Sequence, residues 1–578
     1  MKTKTITIIA AIFLAALSLS AQAQERQLHI ITTGDQHGAW FSEPYVDGQD
    51  VKTSMMSVMY YVDSLRKAVG KDNVMLLDAG DCLQGDNAAY YFNYVEPGQV
   101  HLFSRISDYM GFDVSAVGNH DIETGHDVYD KVYKELKARN IPWLAANAVK
   151  EKDGKPYFPE YKIFKRGGLK VAVLGFTNPN MKAWLSEEVW KGIDFLSLTE
   201  ADFVQKKVDK VIKKEKPDVV VVLTHSGTGE GDGEQLESQG LDLLNSLRGV
   251  DVLVCAHDHR PVVIEKNGCV LVNGGARGAN VGHAVVTVKK NRKISSKTVE
   301  AKVVRMDKNK VHEGMQKKFA ADFEAVKAFT NQKVGSLEMD MRTRDAYRGM
   351  SDYINLVHTV QLQAKEAVIS FAAPLTFNGT VKAGELIYND MFTIYPFENQ
   401  LFVVSLKGKE IKDYLEYSYD TWIQTSDEHV LRITSSPDPR TGSERWSFVG
   451  RSYNFDSAAG ISYTVDVTKP AGSRVNIISL ADGSAFDPEA SYNVAMTSYR
   501  ASGGGNLLFE GAGLSKEEAD SRVVAKYPEI RDLVYDYVKK HKTLTSSLVG
   551  DTSVLGEWRF VPEAFVAPLM EKDMKLIF

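Results

Sequence analysis

The chain has 578 residues, 44% of them hydrophobic and 25% charged, enough to bury two large cores or three smaller ones. Its net charge is −6, and −8 once residues 1–23, which hold Lys2, Lys4 and no acids, are set aside. That balance excludes the broad basic face that polymeric nucleic acid requires, so no such partner is expected and any nucleotide handled is a small one.

Residues 1–23 begin with Lys2 and Lys4, pass through an apolar stretch at 6–17 and end in Ala21-Gln22-Ala23. This is the order of a cleaved signal peptide, and it predicts a periplasmic or secreted protein. The apolar stretch is shorter than the ~20 residues of a membrane helix, and no later stretch reaches that length. Cys82, Cys255 and Cys269 are too few and too odd in number for a disulfide framework, and they read as small buried residues.

From 24 to 306, apolar strands alternate with helical stretches. Strands are predicted at 28–32, 74–78, 114–117, 171–176, 219–223 and 252–255, and helices at 129–138 and 201–214. The five-residue run at 219–223 lacks polar alternation, as expected of strands covered on both faces. The fold class is therefore α/β. Residues 307–333 form a connecting helix, with Met315, Phe319, Phe323, Val326 and Phe329 spaced along one stripe. From 334 to 578 the texture changes to a second, α+β domain with strand-like runs at 401–406, 461–467 and 492–497. The polar stretch 426–450 reads as a surface insertion.

Five short motifs in the first domain each follow a predicted strand. They are Gly34-Asp35-Gln36-His37, Gly80-Asp81, Gly118-Asn119-His120-Asp121, Thr224-His225 and Ala256-His257-Asp258-His259. Ligand sites of open α/β sheets collect at those strand ends. The donor types are imidazole, carboxylate and amide without thiolate, which suit Zn, Mn, Fe or Co. Asp35 and His37 lie two apart, as do His257 and His259, a spacing that can chelate from an extended segment. A carboxylate such as Asp81 can bridge two cations ~3.5–4 Å apart, the separation used in phosphate ester hydrolysis.

This ordered set resembles the calcineurin-like metallophosphoesterases over roughly 280 residues, with Ala256 in place of the usual Gly. The resemblance implies a layered β-sandwich flanked by helices and a site for two divalent metal ions. Carried over by position, one metal takes Asp35, His37, Asp81 and His259. The other takes Asp81, Asn119, His225 and His257, with Asn119 also near the substrate. His120 would stabilise the phosphoryl oxygens and the departing alcohol, and Glu123 stands where relatives place an Asp that pairs with this histidine. The implied activity is phosphoester hydrolysis without a covalent phosphoenzyme.

In the second domain, Tyr395-Pro396-Phe397-Glu398-Asn399 and Ser498-Tyr499-Arg500-Ala501-Ser502-Gly503-Gly504-Gly505-Asn506 bear on substrate choice. By themselves Phe397 and Tyr499 read as core residues ahead of faces for a nucleobase. Three successive glycines signal a tight turn or a close approach. Residues 334–578 resemble the C-terminal domain of secreted 5′-nucleotidases and 2′,3′-cyclic-nucleotide phosphodiesterases. That likeness implies that Phe397 and Tyr499 sandwich the base and that Arg500, Gly503 and Gly504 contact substrate. Ser370-Phe371-Ala372-Ala373-Pro374, Tyr453-Asn454-Phe455-Asp456 and Gly505 point to the cyclic-nucleotide and 3′-nucleotidase branch. The expected protein is a monomeric nucleotide-scavenging hydrolase. A metallohydrolase of another phosphoester or of a sulfur ester, or a binding protein with a degenerate site, stays open as an alternative.

Overall fold

The computed structural model describes residues 24–290, 294–397, 399–437 and 442–578. The expected signal peptide lies outside them. The chain divides into two compact units, one ending at Val326 and the other comprising Lys182–Ser186 and Lys327–Phe578.

Twelve strands build the two large sheets of the first unit. In chain order they are β1 (Gln24–Thr33), β2 (Val74–Asp78), β3 (Val114–Ala116), β4 (Trp143–Leu144), β5 (Tyr161–Arg166), β6 (Leu169–Phe176), β7 (Val219–Thr224), β8 (Val252–Cys255), β9 (Val262–Lys266), β10 (Cys269–Asn273), β11 (Asn280–Lys290) and β12 (Ile294–Arg305). One sheet runs β12-β11-β1-β2-β3-β4 and the other β9-β10-β8-β7-β6-β5. Strands β1 to β4 are mutually parallel, as are β6, β7, β8 and β10.

The apolar run of β7 shows why its sequence carries no polar alternation. Val219, Val221 and Leu223 join Leu28, Ile30, Met75 and Leu77 in a core between the sheets. Val220 and Val222 point the other way, into a second core with Val204, Val208, Val211 and Leu243. Those last residues belong to helices Phe203–Glu215 and Gly240–Ser246. Each buried Val or Leu contributes about 1.5–3 kcal/mol relative to exposure, so a polar residue on either face of β7 would be costly. Both faces being apolar, the strand reads as a continuous hydrophobic run.

The connecting segment forms two helices, Glu313–Lys318 and Ala320–Thr330, where one was expected. Met315, Phe319 and Val326 are buried. In the second unit a five-stranded sheet, with Ser491–Thr497 and Gln400–Lys407 near its centre, backs an aromatic core around Tyr414, Tyr419 and Trp422. The stretch expected to be a surface insertion is only partly so. It carries a hairpin, Ile433–Pro437 with Glu444–Phe448, but Val430 and Leu431 are fully buried and donate their N–H groups to the Asp573 carboxylate at 2.8 and 2.9 Å.

Candidate metal centre

Each of the five motifs follows the C-terminal end of a strand: β1, β2, β3, β7 and β8. The loops are tied to one another through the backbone. The N–H groups of Asp35, His37 and Gly38 donate to the carbonyls of Gly80, Asp81 and Cys82 at 2.8, 2.9 and 3.1 Å. Asp35, His37, Asp81, His257 and His259 all have positive φ, between 48° and 72°. Left-handed backbone at a non-glycine residue costs on the order of 1–3 kcal/mol, and such strain concentrates where a site fixes side-chain direction. Five instances among the expected ligands aim those side chains inward.

Two groups of donors result, Asp35 with His37 and His259, and Asp81 with His225 and His257. Within each group the ligand atoms lie within 4.8 Å of one another. Asn119 joins the second group, with its Oδ1 3.0 Å from His225 Nε2 and 3.0 Å from His257 Nδ1. His225 Nε2 also lies 3.0 Å from Asp81 Oδ2.

The chemistry of these contacts tests whether cations fit. His37 Nδ1 faces the Gln84 carbonyl at 3.0 Å, and His225 Nδ1 faces the Ala79 carbonyl at 2.7 Å. A carbonyl only accepts, so each of those nitrogens carries a proton, and the opposite Nε2 is the atom turned into the cluster. His37 Nε2 then faces His259 Nε2 at 3.0 Å, and His225 Nε2 faces carboxylate and amide oxygens. Imidazole nitrogens gathered with carboxylate and amide oxygens around buried Asp35 and Asp81 suit bound positive charge, and the donor set matches Zn, Mn, Fe or Co chemistry.

The charge balance agrees. Burial alone would raise Asp81, but the imidazoles of His225, His120 and His37 outweigh it and hold its carboxyl well below the usual range. Burial raises Asp35 well above the ordinary value. His37 and His259 are pushed down by burial, His259 to about 4. Burial works in the same sense on His225, yet Asp81 and Asp35 lift it to about 9. The pocket favours positive charge beside Asp81.

His120 stands beside this cluster, its ring centre 5.4 Å from that of His37. Its backbone N–H donates to Asp81 Oδ1 at 2.8 Å, and its Nδ1 meets Glu123 Oε2 at 2.6 Å. The three-residue offset on adjoining helical turns gives the longer carboxylate this reach.

Sequence reasoning missed the residues that brace the loops. Asp121 accepts four backbone N–H groups, from Asp81, Cys82, Leu83 and Gly118, at 2.8–3.1 Å. Asp78 accepts from Thr33, Gln36, Gly80, Ser115 and the Cys82 thiol. Asp258 accepts from the Thr228 N–H and from Asn273. A carboxylate ending the apolar run of β2 was the available signal for Asp78. Cys82, Cys255 and Cys269 are free and buried, as expected.

The expected base-site residues of the second unit divide. Phe397 is 37% exposed and Tyr499 half-buried. Arg500 is 3% exposed. All five of its N–H donors have partners: both Asp456 oxygens at 2.9 and 2.8 Å, the Asn454 side chain and Gly504 carbonyl at 3.1 Å each, and the Tyr453 carbonyl at 2.5 Å. Arg500 thus braces the loop from behind instead of presenting a free guanidinium. A Cβ on Gly503 would meet the Phe509 ring at 2.0 Å, and one on Gly504 the Tyr499 ring at 2.4 Å. These glycines admit aromatic rings against the backbone. Ser370 is also interior, donating to the Gln361 side chain at 2.6 Å.

Two facing sheets that deliver imidazoles and carboxylates from their strand ends to clusters of candidate metal ligands define a metallophosphoesterase. Residues 28–261 match the family model described as calcineurin-like phosphoesterase, and residues 328–511 match that of the 5′-nucleotidase C-terminal domain. The chain belongs to the calcineurin-like metallophosphoesterases that carry a 5′-nucleotidase C-terminal domain, and it is a hydrolase. It is 23% identical to the 2′,3′-cyclic-nucleotide 2′-phosphodiesterase/3′-nucleotidase of Yersinia enterocolitica, over 94% of this chain and 90% of that one. It is 25% identical to a Vibrio cholerae 5′-nucleotidase over 71% of this chain and 80% of the relative. A solved Staphylococcus aureus protein assigned as a 5′-nucleotidase has the same fold, with a TM-score of 0.75 at 20% identity, over 92% of this chain and 99% of that one.

Proposed function

We propose that this protein hydrolyses phosphoesters of nucleotides outside the cytoplasm, with 2′,3′-cyclic and 3′-phosphates as its preferred substrates. The observation that carries the reading is the convergence of Asp35, His37 and His259 beside Asp81, His225 and His257, with Asn119 adjoining the second group. Two divalent cations held there would neutralise phosphate oxygens and acidify water.

The chain's own groups do the rest. Asp81, with one oxygen fixed by the His120 N–H and the other beside His225, stands at the junction of the two groups. Glu123 accepts from His120 Nδ1–H and so fixes the ring, which lets a protonated Nε2 donate to a phosphoryl or leaving-group oxygen. Phe397 and Tyr499 supply the aromatic faces for the base. Ser370, Phe371 and Ala372 form a buried strand, Ile369–Ala372, that presents no cation, which favours the cyclic and 3′ substrates over unassisted 5′-monophosphates. Among the described residues no helix is long and apolar enough to cross a membrane. Together with the signal-peptide order of residues 1–23, this supports nucleotide scavenging in the periplasm or the exterior.

The test is phosphate release from adenosine 2′,3′-cyclic, 3′ and 5′ phosphates with zinc, manganese, cobalt or iron added to chelated enzyme. Metal-dependent turnover is expected, fastest on the cyclic and 3′ forms. A preference for 5′-monophosphate would overturn the substrate order. Activity indifferent to chelation would overturn the two-metal reading.

A further inference from the structure

The second unit holds a cavity of about 760 Å³ that shares no residue with the metal centre or the expected base site. Its floor is one face of the helix Glu563–Ile577. Val566, Met570 and Met574 recur there every four residues, and Phe578 follows at the same spacing. Arg344 and Arg348 reach it from the short helix Thr343–Arg348, and Arg559 from the strand Trp558–Val561.

The charge of this cavity runs against that of the chain. Five cationic side chains line it against three carboxylates, in a protein whose net charge is −6. Some of that charge is already matched. Lys575 bonds Glu571 at 2.7 Å, and Arg342 lies 3.9 Å from Asp340. The side chains of Arg344, Arg348 and Arg559 make no hydrogen bond or close ion pair among the described residues, although Arg348 adds to the pull of Lys575 on the Glu571 carboxylate. The Arg344 guanidinium sits 6.0 Å from the centre of the Phe578 ring. Guanidinium groups bind sulfonate, phosphate or carboxylate in a fixed fork, and they do so best where several converge. The volume falls within the roughly 300–1,000 Å³ of small-molecule pockets, which join an apolar lining to a few placed polar groups.

From these features we infer that the cavity is a second, non-catalytic site for a small organic anion that carries at least two negative charges on an apolar or aromatic body. The anionic groups meet Arg344, Arg348 and Arg559, while the body covers Met570, Met574 and Phe578. Charge alone does not fill the site, because Val566, Met570, Met574 and Phe578 line it with apolar surface.

Naphthalene disulfonate, which has no bond the enzyme cleaves, is the probe, with inorganic sulfate as the charge-only comparator. Equilibrium dialysis against the full-length, metal-loaded protein should show one saturable site that binds the disulfonate roughly tenfold or more tighter than sulfate. Inorganic phosphate at the catalytic centre should not displace it. The triple substitution R344Q/R348Q/R559Q should weaken binding by roughly 30-fold or more with phosphoesterase activity kept. Arg559 is an exposed strand position, so R559Q alone keeps the test available if the triple variant fails to fold; it should weaken binding by about threefold to tenfold. Unchanged affinity in R559Q, displacement by phosphate, or sulfate binding as tightly as the disulfonate would each overturn the assignment.

Discussion

The metal centre and the Arg500 knot are both buried, charged clusters, yet they are built on opposite rules. Around Arg500 every donor has an acceptor, and the loop is closed on itself. Around Asp81 and Asp35, imidazole nitrogens and carboxylates crowd together, five residues sit at positive φ, and Nδ1 of His37 and of His225 is turned outward to a carbonyl. A saturated cluster holds a fold together; an unsaturated one, kept in place by strain and by braces such as Asp121, is shaped for something it does not itself contain. Burial and charge alone do not separate the two. The count of unmet hydrogen-bond partners does.

The sharpest way to break this contrast is to neutralise one member on each side. Asp81→Asn should cut phosphate release by about a thousandfold or more and lower bound metal, read by atomic spectroscopy, while the thermal transition of the metal-free protein moves little. Were the metal-free protein to lose several degrees of stability instead, the unsaturated cluster would be structural after all. Arg500→Gln should do the reverse. It strands Asp456 in the interior, at a cost of about 3–5 kcal/mol, so calorimetry should show a lowered transition of the second unit. Should Arg500→Gln leave stability intact and raise only the KM for nucleotides, Arg500 is a substrate contact and the knot reading fails.

A smaller effect sharpens the same comparison at the surface of the knot. Tyr499 lies against Arg500, with the guanidinium 5.1 Å from its ring centre, and is half-buried. Base stacking of ~1–3 kcal/mol gives a rise in KM of roughly 5- to 150-fold for nucleotides in Tyr499→Ala, with an aryl phosphate unaffected. Equal effects on both substrates would mean that the ring only supports the loop.

Much of this architecture is legible in the amino-acid sequence itself. Strands 74–78 and 252–255 agree with the observed bounds to the residue, each apolar run starting directly after a polar residue, Asn73 or Asp251. The long hairpin of β11 and β12 escapes such a reading, since its buried Val281, Ala284, Val286 and Val288 are interrupted by Gly282, His283 and Thr287 and form no long apolar run. At the site, the side-chain types are readable at the strand ends. The backbone is not: nothing in a sequence marks the Ala79 and Gln84 carbonyls as the groups that turn two histidines inward. Nor does it say that Arg500 and Asp456, in two separate motifs, belong to each other. Their separation of 44 residues carries no periodic signal.

His358 provides the finest version of the comparison, an imidazole buried in the second unit with no acidic neighbour. The hydroxyl proton of Ser370 is spent on Gln361, so Ser370 Oγ accepts from His358 Nδ1–H at 2.9 Å. His358 Nε2 meets the Ser457 hydroxyl at 3.1 Å and accepts its proton. Both nitrogens are satisfied in the neutral form, and burial holds its pKa down at about 3 from 6.5. The folded state refuses a proton that the unfolded chain takes below pH 6.5. Its contribution to stability is therefore complete above pH 6.5 and is lost as pH falls toward 3, at about 1.4 kcal/mol per pH unit. Denaturant titrations between pH 7 and pH 5 should show a shallower decline for His358→Gln than for the parent. An identical slope would mean that His358 takes up its proton in place, and that the closed hydrogen-bond set around it is no barrier to charge.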